Sequence, residues 1–333
     1  MNWSRTSVLI TGASGSFGRR FITALLRDQR PKRVVAFSRD EHKQHDMRQA
    51  GLKSPRLSYV IGDVRDPRSL REALHGIDVV VHAAALKHVP VCEAQPLEAI
   101  QTNLLGAQNV IDAATAAGVS HVVGLSTDKA VHPANAYGAA KLLAERLFLA
   151  ADARPVRGTR FACVRYGNVL GSRGSILESL WAQRQKGRVT ITDPRMTRFW
   201  MTLDEAVDVV LASLERMRGG EIFIPKVRSA RTVDLVKAAA PGCVVEIVGL
   251  RPGEKVHELL ISDDEAPYVI ERGGLYVLTP GIRAKRGKRF QGERYSSRDA
   301  EHFTAEELRV LVEPPPALAE PQPAPRGAHL AAR

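Results

Sequence analysis

Val8-Leu9-Ile10-Thr11-Gly12-Ala13-Ser14-Gly15-Ser16-Phe17-Gly18 joins a short apolar run to three glycines spaced G-x-x-G-x-x-G. A helical pattern follows at once in Phe21, Ile22, Ala24, Leu25 and Leu26. Strand, glycine-rich turn and helix in that order form a dinucleotide-binding fingerprint. Gly12 permits the tight turn, Gly15 lets the backbone approach a pyrophosphate, and Gly18 lets helix and strand pack closely. The phosphates would sit on the helix N-terminus, where open N–H groups and the dipole favour anions.

The next apolar run, Val34-Val35-Ala36-Phe37, ends in Ser38-Arg39-Asp40. An acidic residue here would hold a ribose 2′-hydroxyl, whereas an arginine accommodates a 2′-phosphate. Arg39, with Ser38 beside it, favours NADP; Asp40 keeps NAD open as the lesser alternative. A third strand, Leu57 to Gly62, ends at Asp63-Val64, which could meet an adenine edge. A fourth, Asp78 to His82, ends in Ala83-Ala84-Ala85, small enough for backbone to approach a ribose and diphosphate. Lys87 and His88 follow on the loop, His88 being read as a loop or packing residue.

Further on comes LSTDKAVHPANAYGAAK, residues 125–141. Tyr137 and Lys141, four apart, share a helix face. An ammonium beside a phenol favours the phenolate, so a tyrosine that ordinarily titrates near ~10 is expected to serve as a base near neutral pH. Asp128-Lys129 follows the apolar run Val122 to Leu125, so both fall where a strand passes into a loop, the edge at which open α/β sheets place their chemistry.

Strand and helix patterns alternate from residue 7 to about residue 170, which predicts a parallel sheet. The fold class is α/β: a Rossmann-type doubly wound parallel sheet with a smaller C-terminal substrate-binding part. Residues 1–170 form the dinucleotide-binding domain; 171–312 form mainly the substrate part, some of it returning to the sheet; 313–333, rich in Pro and Ala, read as disordered. Helices are predicted from Pro67 to Leu74, Pro96 to Ala117 and Leu203 to Met217, and Asn103, interrupting an apolar face, is expected to bridge neighbouring strands. With 44% hydrophobic and 25% charged residues in 333, composition is that of a globular protein. No apolar stretch nears the ~20 residues of a membrane span, and the start lacks a signal-peptide core. Cys92, Cys163 and Cys243 make neither a disulfide framework nor a metal cluster. The expectation is a cytoplasmic protein with no metal and no membrane partner. The net charge of +12 comes without a nucleic-acid motif, so no nucleic-acid partner is expected. Its densest cluster, Arg283, Lys285, Arg286, Lys288 and Arg289, is a solvated loop or an aid to an acidic substrate.

With these residues assembled, the chain resembles an extended short-chain dehydrogenase/reductase, and within that superfamily the inverting UDP-N-acetylglucosamine 4,6-dehydratases of the soluble short branch. The resemblance runs from about residue 5 to residue 312. TGASGSFG and YGAAK carry the superfamily level; FSRDEHKQ (37–44), HAAALKHVPVCEAQP (82–96), STDKA (126–130), RYGNVLGSRGS (165–175), MTRFWMTL (196–203) and LRPGEKVHELL (250–260) carry the finer level. It implies that Gly12, Ser14, Gly15, Ser16, Phe17, Gly18, Ser38, Arg39, Asp63, Val64, Ala83, Ala84, Ala85 and Lys87 hold NADP, together with Tyr137 and Lys141. Thr127, Asp128, Lys129, Tyr137 and Lys141 would form the active site, while Lys87, Asn168, Arg173, Arg198, Arg251 and Glu254 would meet the UDP-sugar. The related membrane-anchored dehydratases carry Met where Tyr137 stands.

The implied chemistry oxidises C4 of the sugar with Tyr137 as base, removes the C5 proton with Lys129, and protonates the departing C6 hydroxyl with Asp128. Hydride then returns to C6, and C5 is reprotonated from the opposite face, giving the L-arabino 4-keto sugar. A homo-oligomer is expected. The alternatives are a UDP-hexosamine 4-epimerase or dehydratase/epimerase and, more remotely, a non-catalytic NADP-sensing protein.

Overall fold

Ser7–Thr11 (β1) is buried along its whole length, as a strand must be when helices cover both faces of a parallel sheet. Arg33–Ser38 (β2), Leu57–Ile61 (β3), Val79–His82 (β4), His121–Leu125 (β5) and Arg160–Val164 (β6) join it, all parallel, in the spatial order β3-β2-β1-β4-β5-β6. The order reverses between β1 and β4, which opens a crevice at their carboxyl ends. The computed structural model describes residues 1–153, 158–172, 174–279 and 287–313. Arg173, the cluster residues Arg283, Lys285 and Arg286, and all but the first residue of the 313–333 tail lie outside them.

Alternate strand residues feed two cores. Leu9, Val35, Val80 and Val122 pack on one face with Ala107, Val110 and Phe148. Val8, Ile10, Val34, Val81 and Val123 pack on the other with Phe21, Ile22 and Val210. Past residue 170 the chain returns to the sheet: Glu221–Pro225 lies parallel to β6, Leu275–Leu278 antiparallel to Glu221–Pro225, and Val269–Arg272 and Lys288–Arg289 extend the edge. A third core, with Leu177, Val189, Leu235 and Leu308, belongs to the remaining part. Arg165, fully buried at the end of β6, joins the two parts. Its fork reaches Glu145 at 2.7 Å and Glu265 at 2.8 Å.

The segment expected as one helix from Pro96 to Ala117 contains a π-helical turn, Ile100–Leu105, between Pro96–Ala99 and Gly106–Ala117. That turn directs Asn103 at the loop after β4, where its Oδ1 accepts from Leu86 N and its Nδ2 donates to Leu86 O, both at 2.8 Å. Asn103 therefore pins a loop and does not bridge strands. The helix Leu203–Arg216 starts from a capping box, Thr202 with Glu205.

Candidate active site

The glycine-rich turn is a cradle by exclusion. Gly12 has φ 65°, and a Cβ there would stand 2.7 Å from Ala84 N; at Gly18 it would stand 2.6 Å from Ala13 Cα. The helix Ser16–Ala24 begins at Gly15 with no side-chain cap, so the positive end of its dipole faces the turn, where an anion is favoured. Thr11 Oγ1 accepts from Ala83 N at 3.1 Å and Ala84 N at 3.2 Å, and meets His82 Nδ1 at 2.8 Å. With its lone pairs taken, the hydroxyl donates to Nδ1, which puts the ring proton on Nε2. Burial, aided by the Lys141 charge, pushes His82 down to about 3, so the ring is neutral. A cavity of about 530 Å³ runs from this cradle, with Gly12, Ser14, Gly15, Ser16, Phe17 and Gly18 on its wall, to Thr127, Lys129, Tyr137 and Lys141. These residues fit a dinucleotide whose nicotinamide end faces the Tyr137 side.

Ser38, Arg39, Asp63 and Val64 stand at the carboxyl ends of β2 and β3, off the wall of that cavity. Ser38 is buried and accepts from Gln44 Nε2 at 3.0 Å. Asp40 caps the helix Glu41–Gln49 and pairs with Lys43 at 2.5 Å, which occupies the carboxylate that would otherwise favour a free 2′-hydroxyl. Arg39 stays exposed, 3.9 Å from Asp63, whose main partner is Arg65 at 2.7 Å. Val64 is core, its carbonyl accepting from Asn109 Nδ2. Ala83, Ala85 and Lys87 line the cavity; Ala84 lies behind Gly12, and Lys87 Nζ donates to Ser172 Oγ at 3.3 Å.

The helix Ala136–Asp152 carries Tyr137 and Lys141 in its opening turns, with Asn135 Oδ1 accepting from Gly138 N. A Cβ at Gly138 would collide with the Lys129 carbonyl, so glycine here lets the helix lie against the turn Asp128–Ala130. In that turn Asp128 is fully buried; its Oδ1 accepts from Thr127 Oγ1 and Lys129 Nζ, each at 3.0 Å, while Oδ2 is buried without a hydrogen-bond partner. Burial raises the Asp128 carboxyl above the usual range, and the nearby Glu258 charge adds to it against the pull of Lys129. Burial works against the Lys129 ammonium, but Asp128 and Glu258 outweigh it and hold its affinity for the proton above the ordinary value. Tyr137 differs from the sequence expectation. Burial pushes it up to about 12, and the strongest downward pull comes from Lys129, not Lys141. Lys141, deprived of solvent, is itself shifted down.

Of the residues expected at the sugar, Asn168 lines the cavity with Oδ1 buried and unpartnered. Arg198, Arg251 and Glu254 do not reach the wall. Arg198 donates to the carbonyls of Thr197, Lys255 and Val256 at 2.7–3.1 Å, and Glu254 accepts from Arg251 N. The sequence reading missed Tyr166 and Trp200, which line the cavity, and Glu258, which meets Lys129 at 3.6 Å. All three lie within the quoted motifs, but their burial and partners come from contacts far apart in the chain.

Residues 8–280 match the family described as "Polysaccharide biosynthesis protein". The chain is 46% identical over 284 residues to a protein of Campylobacter jejuni subsp. jejuni serotype O:2 named UDP-N-acetylglucosamine 4,6-dehydratase (inverting), covering 84% of this chain and 85% of that one. It is 42% identical over 325 residues to a Rickettsia felis protein named UDP-glucose 4-epimerase, covering 92% and 95%. The X-ray structure of Pen from Bacillus thuringiensis superposes with a TM-score of 0.89 at 35% identity, covering 94% of this chain and 98% of that one. No helix among the described residues is long and apolar enough to cross a membrane. Fingerprint, sheet order and family match agree, and the chain belongs to the polysaccharide biosynthesis protein family, with the fold of an extended short-chain dehydrogenase/reductase.

Proposed function

We propose that this protein is an NADP-dependent, inverting UDP-N-acetylglucosamine 4,6-dehydratase. The observation that carries the reading is the Asp128–Lys129 ion pair, 3.0 Å across, with Lys129 and Tyr137 on the wall of the same cavity and Asp128 buried behind it. Eliminating water across C5 and C6 needs a base at one carbon and an acid at the next; a 4-epimerase needs neither. The name of the Campylobacter relative supports the same reading. A nicotinamide held by the Gly12–Gly18 cradle would supply the hydride chemistry, as acceptor from C4 and donor to C6. Tyr137 exchanges the C4 hydroxyl proton, with Lys129 and the Thr127 hydroxyl pulling its proton affinity down against burial. Lys129 first passes its own proton to Asp128 across their 3.0 Å bond, and the amine so freed takes the C5 proton. Asp128, whose carboxyl burial inclines toward protonation, gives its proton to the departing C6 hydroxyl through Thr127, which joins it to the cavity wall. Reprotonation of C5 from the other face gives the L-arabino product.

NADP is preferred because Asp40 is taken up by the helix cap and Lys43, while Arg39 is exposed and holds Asp63 at no less than 3.9 Å. The same reading carries a homo-oligomer working in the cytoplasm, for which the exposed Leu97, Ile100, Leu105 and Leu143 offer an apolar face. The name of the Rickettsia relative, UDP-glucose 4-epimerase, supports 4-epimerisation, and with the same substrate as above the second reading is a UDP-hexosamine 4-epimerase. Incubation with UDP-N-acetylglucosamine in D₂O, followed by ¹H NMR, separates them. A new C6 methyl with deuterium at C5 is expected; a UDP-N-acetylgalactosamine spectrum without a methyl would establish the epimerase. Calorimetry should show NADP binding more tightly than NAD, and the reverse order would remove Arg39 from the site.

A further inference from the structure

Glu258, just ahead of the strand Leu259–Ile261, is 3% exposed, and the chemistry above gives it no part. Its backbone is fixed by Ser297: the Glu258 N–H donates to Ser297 Oγ, and its carbonyl accepts from Ser297 N, both at 2.9 Å. Its carboxylate faces the turn Asp128–Ala130, with Oε1 3.6 Å from Lys129 Nζ and Oε2 3.3 Å from Lys255 Nζ. Lys255 donates in turn to the Val131 carbonyl at 2.7 Å, so the bridge returns to the end of that turn. Arg198, on the strand Thr197–Met201, is a third positive charge near the carboxylate, and Asp128 is the other negative one. The Tyr137 phenol faces Lys129 from the helix side.

One ammonium is thus held by two buried carboxylates from separate elements. A single partner would neutralise it, and a second buried carboxylate carries a desolvation cost of its own. We propose that Glu258 is a positioning residue of the dehydration step: acting through Lys129, it fixes that ammonium beside Asp128 at the point from which the sugar's C5 proton is exchanged. This rests on the dehydratase reading. The two carboxylates are not equivalent. Burial opposes the Glu258 charge, but Lys129, Arg198 and Lys255 outweigh it and keep Glu258 ionised, whereas burial leaves Asp128 the carboxyl inclined to carry a proton. Fixed negative charge at 258 raises the proton affinity of both Asp128 and Lys129, so its removal lowers both.

The test is the pH profile of C5 deuterium incorporation and C6 methyl formation in the full-length, NADP-loaded enzyme, for wild type, Glu258→Gln and Glu258→Asp. Glu258→Gln should slow C5 exchange by about tenfold or more, leave KM for the UDP-sugar near wild type, and move both limbs of the profile to lower pH. Glu258→Asp keeps the charge at shorter reach and should return the limbs to their wild-type positions at reduced rate. A Gln variant that loses rate with its limbs unmoved, or loses nothing, overturns the proposal. An Asp variant with displaced limbs overturns it too, and that result stands even if the Gln variant does not fold. Wild-type enzyme giving neither a methyl product nor C5 exchange sinks the dehydratase reading and this inference together; a failure confined to the variants sinks only the role of Glu258.

Discussion

A lysine clasped by two carboxylates gives up its proton only when the balance of charge around it changes, and this makes Lys129 the residue whose removal is most diagnostic. Lys129→Ala should retain NADP, since the cradle at Gly12, Gly15 and Gly18 is untouched, yet lose C5 deuterium exchange by ~10²–10⁴-fold. Exchange at the wild-type rate, read by NMR in D₂O, would remove Lys129 from the chemistry. Asp128, Lys129, Tyr137 and Lys141 were legible because adjacency and four-residue spacing are local facts. Glu258 was not, because nothing in LRPGEKVHELL says which acidic residue turns inward; Glu254 was read as the functional one, yet it accepts from Arg251 N. Arg198 likewise reads as an anion ligand until its fork is seen on three backbone carbonyls.

Helix and turn meet through the absence of a side chain. Glycine inside a helix costs roughly 1 kcal/mol relative to alanine, and at Gly138 the cost is accepted because the Lys129 carbonyl occupies the place of a Cβ. Gly138→Ala should gain nothing in helix stability. It should push the helix Ala136–Asp152 off the turn, destabilise the protein by about 1–3 kcal/mol and lower turnover ~10²-fold through misplacement of Tyr137 against Lys129. Thermal melts and kcat check this; a variant of raised Tm and full activity would contradict the packing. The sequence announced the helix but not the crowding against it. The π-helical turn Ile100–Leu105 was equally silent, since the pull of Asn103 on Leu86 that accompanies it is a tertiary contact.

Over the molecule as a whole, acid stability records how the first sheet is built. His82 is buried and neutral down to about 3, whereas the unfolded chain takes up that proton near ~6.5. Between those values the unfolded state binds more protons, so stability is full above the higher value and falls as pH drops, by up to ~1.4 kcal/mol per unit from this residue. His82→Gln should flatten the fall of Tm between pH 6 and pH 4; an unchanged slope would show that the ring is not the group responsible. The alternation of β1 to β6 was legible because neighbours in sequence are largely neighbours in the sheet. Beyond residue 170 the sequence told only that some segments return to the sheet, because Glu221–Pro225 and Leu275–Leu278 find their partners across distant segments and in both directions.

That distance has a consequence in time. On the ribosome, the cradle, Tyr137 and the Asp128–Lys129 pair emerge as one early stretch. Glu258 and Ser297 follow on the order of ten seconds later, at the usual ~5–20 residues per second. Until they arrive, Lys129 has its near carboxylate and lacks its far one. On the role proposed for Glu258, the parts that would hold a nucleotide leave the ribosome well before the last part that would eliminate water.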